Sequence, residues 1–414
     1  MNFDTIIIGG GLSGLVCGLK LTKENKKCAI VSTGQSALHF SSGSFGLLGT
    51  LNGCDVEKPL EAIKQIVQEN ENHPYAKIGA DKIEALADES VQLLSSVQKL
   101  EGSATKNHYR MTPLGDFRPA WMSFEGFLTS PKKDEVAFKK AVVISIKGFL
   151  DAYPEMIAEG LNACGCQAEV VEIDLEKILN VRRNPSEMRS IFIAKILDEA
   201  ENLKSVADEI KRIKGSADVV IVPDCIGLKN AEARSQLEDK IGVAVKLAAT
   251  FPPLSSGVRM QLNLRVEFVR NSGTFFAGDE VVGVEKISEG FVVSTANLGD
   301  TKLCAKNIVL ATGRFFSKGV VSTPEKVFEP MLECDVFADD NRENWTNANP
   351  DAEQAFNSYG VKTNSNFNIL KDNSVVENAY ATGAVLGGYN SLKENSGAGV
   401  AILSAMQVAK NIIG

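Results

Sequence analysis

Three glycines spaced as G-x-G-x-x-G, at Gly9, Gly11 and Gly14, carry the first chemistry legible in the sequence. Residues 3–8 (F-D-T-I-I-I) before them form a short apolar run, and residues 15–21 after them read as the start of a helix. In that context each glycine has its own task. Gly9 lets the chain turn sharply out of a strand, Gly11 lets a phosphate approach the backbone, and Gly14 lets the helix lie close on the sheet. The unpaired N–H groups of the helix N-terminus then face the negative charge of a ligand. The chemistry is nucleotide or flavin binding; the bland alternative is a glycine-rich packing turn.

A carboxylate about twenty residues beyond such glycines ordinarily holds an adenosine ribose. Here the second apolar run, 28–32, ends in Val31, Ser32, Thr33 and Gly34, and no Asp or Glu lies between Glu24 and Asp55. Ser32 and Thr33 offer single hydrogen bonds, weaker than those of a charged group. The loop that follows, 34–49, is rich in Ser and Gly and contains His39. In a doubly wound sheet it leaves the carboxyl end of a strand, where ligands bind. Ser41, Ser42 and Gly43 are therefore candidates for contact with a flat ring, unless the loop is a plain surface loop. His39 has an ordinary pKa near ~6.5, suited to a general base, although a lone histidine beside glycines is also a common structural residue.

Two arginines, Arg110 and Arg118, lie among turn formers in residues 110–123, together with Trp121. Arg118 could clamp an anionic substrate in bidentate fashion or pair with a surface carboxylate. Further on, the run 308–310 enters Ala311, Thr312 and Gly313, and residues 378–388 read N-A-Y-A-T-G-A-V-L-G-G, with Gly383 and Ala384 where many flavin proteins carry Gly-Asp. The helix expected over 399–413 either aims its positive end at a flavin pyrimidine or packs as a plain terminal helix.

These residues need elements to position them. Periodicity predicts helices over 57–72 and 81–100, with Ile63 and Val67 on one face of the first and Ile83, Leu86 and Ala87 on one face of the second. Strands at 141–146, 168–173, 219–222 and 243–247 alternate with helices at 153–164, 186–199, 201–213 and 229–239, the pattern of a self-contained α/β unit. A helix over 258–269 follows, then short strands at 274–276, 281–287, 291–295 and 302–305 with turn residues between them. A meander returning to a strand that ends in A-T-G is the pattern of glutathione-reductase-type flavin folds. The expected architecture is thus an α/β, Rossmann-like flavin-binding domain in two parts, 1–135 and 251–414, with an inserted α/β domain at 136–250 and a β-meander.

The 414 residues carry a net charge of −8, which argues against non-specific nucleic-acid binding and against a basic membrane-facing patch. No apolar run reaches the ~18 residues of a membrane span, and no basic segment precedes the first apolar run, so no signal peptide is expected. The eight cysteines include no C-x-x-C pair, and Cys164 and Cys166 stand too close for ordinary zinc or cluster spacing. No metal site is expected; any iron–sulfur centres would sit on another chain, and free thiols fit a reducing cytoplasm.

Five stretches carry a resemblance, and Q-S-A-L-H-F-S-S-G-S within them is far more specific than the glycine motif. The five are F-D-T-I-I-I-G-G-G-L-S-G-L, C-A-I-V-S-T-G-Q-S-A-L-H-F-S-S-G-S, M-T-P-L-G-D-F-R, F-V-R-N-S-G-T-F-F-A-G-D-E-V and A-T-G-A-V-L-G-G-Y, spread from residue 3 to residue 389. In them the chain resembles the B subunits of the anaerobic glycerol-3-phosphate dehydrogenases of bacteria. The resemblance implies oxidation of glycerol 3-phosphate to dihydroxyacetone phosphate, with electrons passed to quinone and on to fumarate or nitrate. It implies two partners: the flavin-bearing, catalytic A subunit, and an iron–sulfur subunit that holds the pair at the inner face of the cytoplasmic membrane. It implies non-covalent FMN; the glycine motif, suited to a pyrophosphate, keeps FAD as the alternative. Two other roles stay open: an electron-relay or assembly subunit without its own substrate site, and a flavin oxidoreductase of the fumarate-reductase-like type.

Overall fold

A computed structural model describes residues 1–41, 43–181, 184 and 188–414. The chain divides into two units: residues 1–37, 46–97 and 262–414 form the first, and residues 38–45 and 98–261 the second.

The first unit is built on strand β1 (Asn2–Ile8), helix α1 (Leu12–Lys23) and strand β2 (Cys28–Ser32). β1 lies between β2 and the strand Leu303–Leu310 and runs parallel to both. Thr274–Ala277 extends the parallel sheet beyond β2, and Ser374–Ala381 adds to it beside residues 308–310. β1 and β2 are covered on both faces, so they read as continuous apolar runs rather than alternating ones. Ile6, Ile7 and Ile30 are fully buried, as are Leu15, Val16 and Leu19 of α1.

The meander ends differently from the sequence expectation. Residues 302–305 and 308–310 are not separate strands but one, Leu303–Leu310. Residues 303–305 pair antiparallel with Gly290–Thr295, while residues 304–310 pair parallel with β1. One extended segment can do both because each of its edges bonds a different neighbour. Helices α2 (Pro59–Glu69), α3 (Pro74–Ile78) and α4 (Ala80–Ser95) lie in the same unit, α2 and α3 both opening on proline. Proline suits that place because the first helical N–H has no intrahelical partner.

The second unit holds a four-stranded parallel sheet in the order Gln167–Ile173, Lys140–Ile146, Val219–Pro223, Ala244–Ala248. Helices Pro154–Ala163, Ala200–Ile213 and Ala233–Ile241 alternate with its strands. The helix expected over 186–199 is observed as Ser190–Leu197; residues 186 and 187 lie outside the described ones. The unit takes in residues from 98 onward, ahead of the boundary expected at 136. Tyr109, Met111, Phe117 and Leu128 share one apolar cluster with Ala141, Val143 and Ile221, and the Leu128 N–H donates to Leu247 O at 2.8 Å. Burying those side chains ties the segment 98–135 to this sheet.

The helix Ser255–Arg270 begins three residues before the expected start at 258. The reason is remote in sequence. The buried Asp224 carboxylate accepts from the Ser256 N–H at 3.1 Å and from its hydroxyl at 2.5 Å, satisfying a first-turn donor and placing negative charge at the positive helix end.

Ile7 is fully enclosed at the centre of the first sheet. Ile7→Ala is expected to cost about 2–5 kcal/mol of stability through lost burial and the cavity left behind, read as a lower midpoint in chemical denaturation of the full chain.

Candidate flavin site

The residues singled out in the sequence fall in both units. Gly9, Gly11, Gly14, Ser32, Thr33, Gly313, Gly383 and Ala384 belong to the first; His39, Ser41, Gly43 and Arg118 belong to the second. Ser42 lies outside the described residues.

In the first unit the carboxyl ends of three parallel strands are brought together. The register that pairs Ile8 with Leu310 puts Gly9 against Ala311, and the pairing of Leu310 with Ala381 sets Thr382 beside them. Gly9 has φ +116, and an added Cβ would collide with the Ala311 carbonyl. A Cβ on Gly14 would collide with the Gly9 carbonyl. Gly11 is different: its added Cβ would meet only Ser36 Cβ, at 3.9 Å. So the protein itself closes around the first and third motif glycines, while the second faces open space.

Gly11 is also the N-cap of α1, which has no side-chain cap and no acidic residue in its first turn. Its N-terminal amides and positive end are therefore left for a ligand. At the same strand edge Thr312 Oγ1 is buried with no hydrogen-bond partner, a polar atom that a ligand group would satisfy. An open glycine, an uncapped helix and an orphaned hydroxyl fit the phosphate end of a flavin nucleotide.

Gly383 has φ +77, where glycine is favoured, and a Cβ there would press on Ser13 Oγ. Its N–H donates to Ser404 Oγ at 2.9 Å, which locks the 382–384 turn to the helix Gly397–Ile413. That helix likewise carries no side-chain cap and no first-turn acid. Gly313 has φ +74. Ser32 is buried and its hydroxyl donates to Gly34 O at 3.3 Å; Thr33 is exposed. Arg314, which sequence reasoning passed over, donates to Ala384 O at 3.0 Å, to Leu386 O at 2.9 Å and to Asn357 O. It holds the segment after Gly383 in place. Its position directly after A-T-G was the only available signal.

His73 is a second residue not singled out. It is fully buried, accepts from the Tyr75 N–H at Nδ1, and lies 3.1 Å from Glu394 through Nε2. That assigns the Nε2 proton to the bond with the carboxylate.

In the second unit, burial lowers the pKa of His39, with the Gln261 side chain opposing the shift in part. Burial thus favours the neutral imidazole, the form a base needs. Ser41 Oγ accepts from the Gly43 N–H at 3.3 Å, and Gly43, at φ +76, packs against the Phe127 ring. Arg118 is exposed and its Nε donates to Asp116 at 2.7 Å. Arg110, opposite it in the hairpin, is held largely out of water, and burial pulls its pKa down to about 10. Strand pairing also assembles a chain that no spacing announced: Ser44 Oγ lies 2.6 Å from Ser123 Oγ, which lies 2.6 Å from His108 Nε2. Burial, and then Arg110, bring the His108 pKa down to about 4.

Among the described residues no group of three or more His, Cys, Asp or Glu is placed to hold a metal ion. No helix of those residues is long and apolar enough to cross a membrane.

Residues 4–400 match the FAD binding domain family, so the class is that of the flavoprotein oxidoreductases with a Rossmann-like flavin domain. Within it the whole chain aligns with proteins named as the B subunit of anaerobic glycerol-3-phosphate dehydrogenase. Identity is 41% to that of Yersinia enterocolitica, covering 100% of this chain and 98% of the relative. It is 37% to that of Pectobacterium atrosepticum, covering 100% and 99%, and 35% to that of Actinobacillus pleuropneumoniae, covering 100% of both. The chain belongs to this B-subunit family, as the resemblance in its motifs implied.

The geometry leads to two expected outcomes. Gly11→Val places its side chain in open space, so the variant is expected to fold, by circular dichroism, and to purify colourless; a full flavin spectrum would refute the assignment of this turn. His108, with its pKa depressed from the ordinary ~6.5, binds more protons unfolded than folded between pH 6.5 and about 4. Its contribution is present above the unfolded value and is lost as pH falls through that window. The slope is at most about 1.4 kcal/mol per pH unit, and His108→Gln should flatten it in urea denaturation series.

Proposed function

We propose that this chain is a flavin-bearing subunit of a respiratory glycerol-3-phosphate dehydrogenase. The complex converts glycerol 3-phosphate to dihydroxyacetone phosphate and passes electrons to quinone, with fumarate or nitrate as terminal acceptor. The observation that carries the reading is the end-to-end similarity, at 35–41% identity, to the B-subunit proteins. The partners are the flavin-bearing A subunit, together with an iron–sulfur subunit that holds the complex at the inner face of the cytoplasmic membrane.

A flavin bound at the turn after β1 supplies the hydride acceptor. The chain's own residues bind and position. The α1 amides and Gly11 would hold the flavin phosphate, and the uncapped start of the helix Gly397–Ile413 would supply positive partial charge to a reduced flavin. His39, whose neutral form burial favours, is the candidate to take the hydroxyl proton. With Arg118 engaged by Asp116 in solvent, the less hydrated Arg110 is the better clamp for a substrate phosphate.

A second reading is favoured by the same ion pair. Hydride abstraction needs base, clamp and ring on one small molecule, and one of the two arginines named for the clamp is already taken at the surface. In that reading the chain relays electrons and its partner meets the substrate. For the flavin we propose FMN, because no carboxylate follows β2 and the Ser32 hydroxyl is turned back on Gly34 O. FAD is supported by the family match and by the pyrophosphate-type turn.

The chain alone is expected to hold a non-covalent flavin and to be reduced slowly by glycerol 3-phosphate under anaerobic mixing, with turnover appearing when the A subunit is added. Rapid reduction of the chain alone, lost in His39→Ala, would place substrate oxidation on this chain. A reconstituted complex with no glycerol-3-phosphate turnover would overturn the function. Acid precipitation and mass analysis of the released flavin decides between FMN and FAD.

A further inference from the structure

A small cavity in the first unit is lined by Asn72, Lys77, Phe337, Val361, Lys362, Thr363, Leu370 and Gly387. Two lysines reach it and no acidic residue does, in a chain where 52 acids outnumber 44 bases. Lys77, near the end of α3, is drawn partly out of water. Its Nζ donates to Thr363 Oγ1 at 2.9 Å, which uses one of its three N–H donors. Burial lowers its pKa to about 8, and no carboxylate of the described residues opposes the shift. An ammonium taken from water without a counter-charge is costly. Among the described residues no protein acid offsets that cost.

The donors at this space come from Lys77 and Thr363; Asn72, whose amide both donates and accepts, also lines it. Lys77 has two N–H groups left, and the Thr363 hydroxyl has given a lone pair to Lys77 and keeps its proton. The apolar walls Phe337, Val361 and Leu370 lower the local dielectric and strengthen attraction for an anion. The cavity measures about 70 Å³, more than the ~15 Å³ one water requires, and enough for a group of a few heavy atoms. A nucleotide does not fit.

We propose that the Lys77 cavity is a subsite for a single phosphate group, carried by a small phosphomonoester or free as inorganic phosphate. A tetrahedral oxyanion with three accepting oxygens matches the donor set, and its charge completes that of Lys77. The site is separate from the α1 turn, which serves the flavin phosphate.

The test is acetylation of the flavin-loaded full chain by acetic anhydride at neutral pH, with labelling at each lysine read by peptide mass spectrometry. It is run in chloride, in inorganic phosphate and in sn-glycerol 3-phosphate at matched ionic strength. A bound phosphate raises the Lys77 pKa, and each unit of rise lowers its reactive free-amine fraction about tenfold. Protection of Lys77 of about that size, with exposed lysines unchanged, is the expected result. Protection by both probes identifies the phosphate group itself as sufficient; protection by glycerol 3-phosphate alone identifies the ester. Equal labelling of Lys77 in all three solutions overturns the proposal. As a second measurement, phosphate should raise the thermal midpoint of the native chain relative to chloride and leave that of Lys77→Met unmoved; an equal rise in both also overturns it. Neither readout involves turnover, so this subsite stands or fails independently of the dehydrogenase reading.

Discussion

The structure depends on one close approach, that of the turn after β1 to the backbone beside it. Gly9 meets the Ala311 carbonyl and Gly14 meets the Gly9 carbonyl at separations no Cβ tolerates. Because the turn is this tight, α1 starts directly over the carboxyl edge of the sheet with its first amides unspent. Thr312 and Gly383 then come to the same edge through strands that pair in register with β1 and with each other. A looser turn would leave the same residues in the sequence and no common edge for them to share.

The consequence for ligand binding is a division of roles among glycines that look alike in the sequence. Two of the three motif glycines satisfy the protein's own packing; only Gly11 leaves its Cβ position open. The helices α1 and Gly397–Ile413, both without a side-chain cap or a first-turn acid, add fixed partial charge without a titratable group, so their effect does not vary with pH. Charges that do titrate are handled in another way. Burial favours the neutral form of His39 and of His108, and His73 is held by a carboxylate and a backbone amide.

Much of this was legible from residue order because it rests on local rules. The glycine turn, the alternation of strands and helices in the second unit, and the strand that ends in A-T-G all depend on neighbours a few positions away. What was not legible depends on distant ones. The early start of Ser255–Arg270 is set by Asp224, and the joining of 98–135 to the second unit is set by contacts with 141–248. The Ser44–Ser123–His108 chain and the three carbonyls held by Arg314 exist only once strands have paired. Arg118 shows the limit from the other side: its residue type suggested a clamp, and its place on an exposed hairpin beside Asp116 could be known only from the fold.

The strand Leu303–Leu310 has a bearing on how the chain comes to be folded. β1 is made well before its partner on that edge, which lies some 300 residues further along the chain. Sheets closed by such distant pairings form slowly, because chain entropy must be lost before contacts compensate for it. Residues 98–261 form an almost continuous stretch with its own parallel sheet and can fold while that partner is still being made. The first unit is thus the last part completed, with β1 paired to β2 on one edge and open on the other until then. A cofactor that binds only the finished edge draws that late step forward by mass action. A flavin held at that edge would then act on the fraction of chain that is folded as well as on its chemistry.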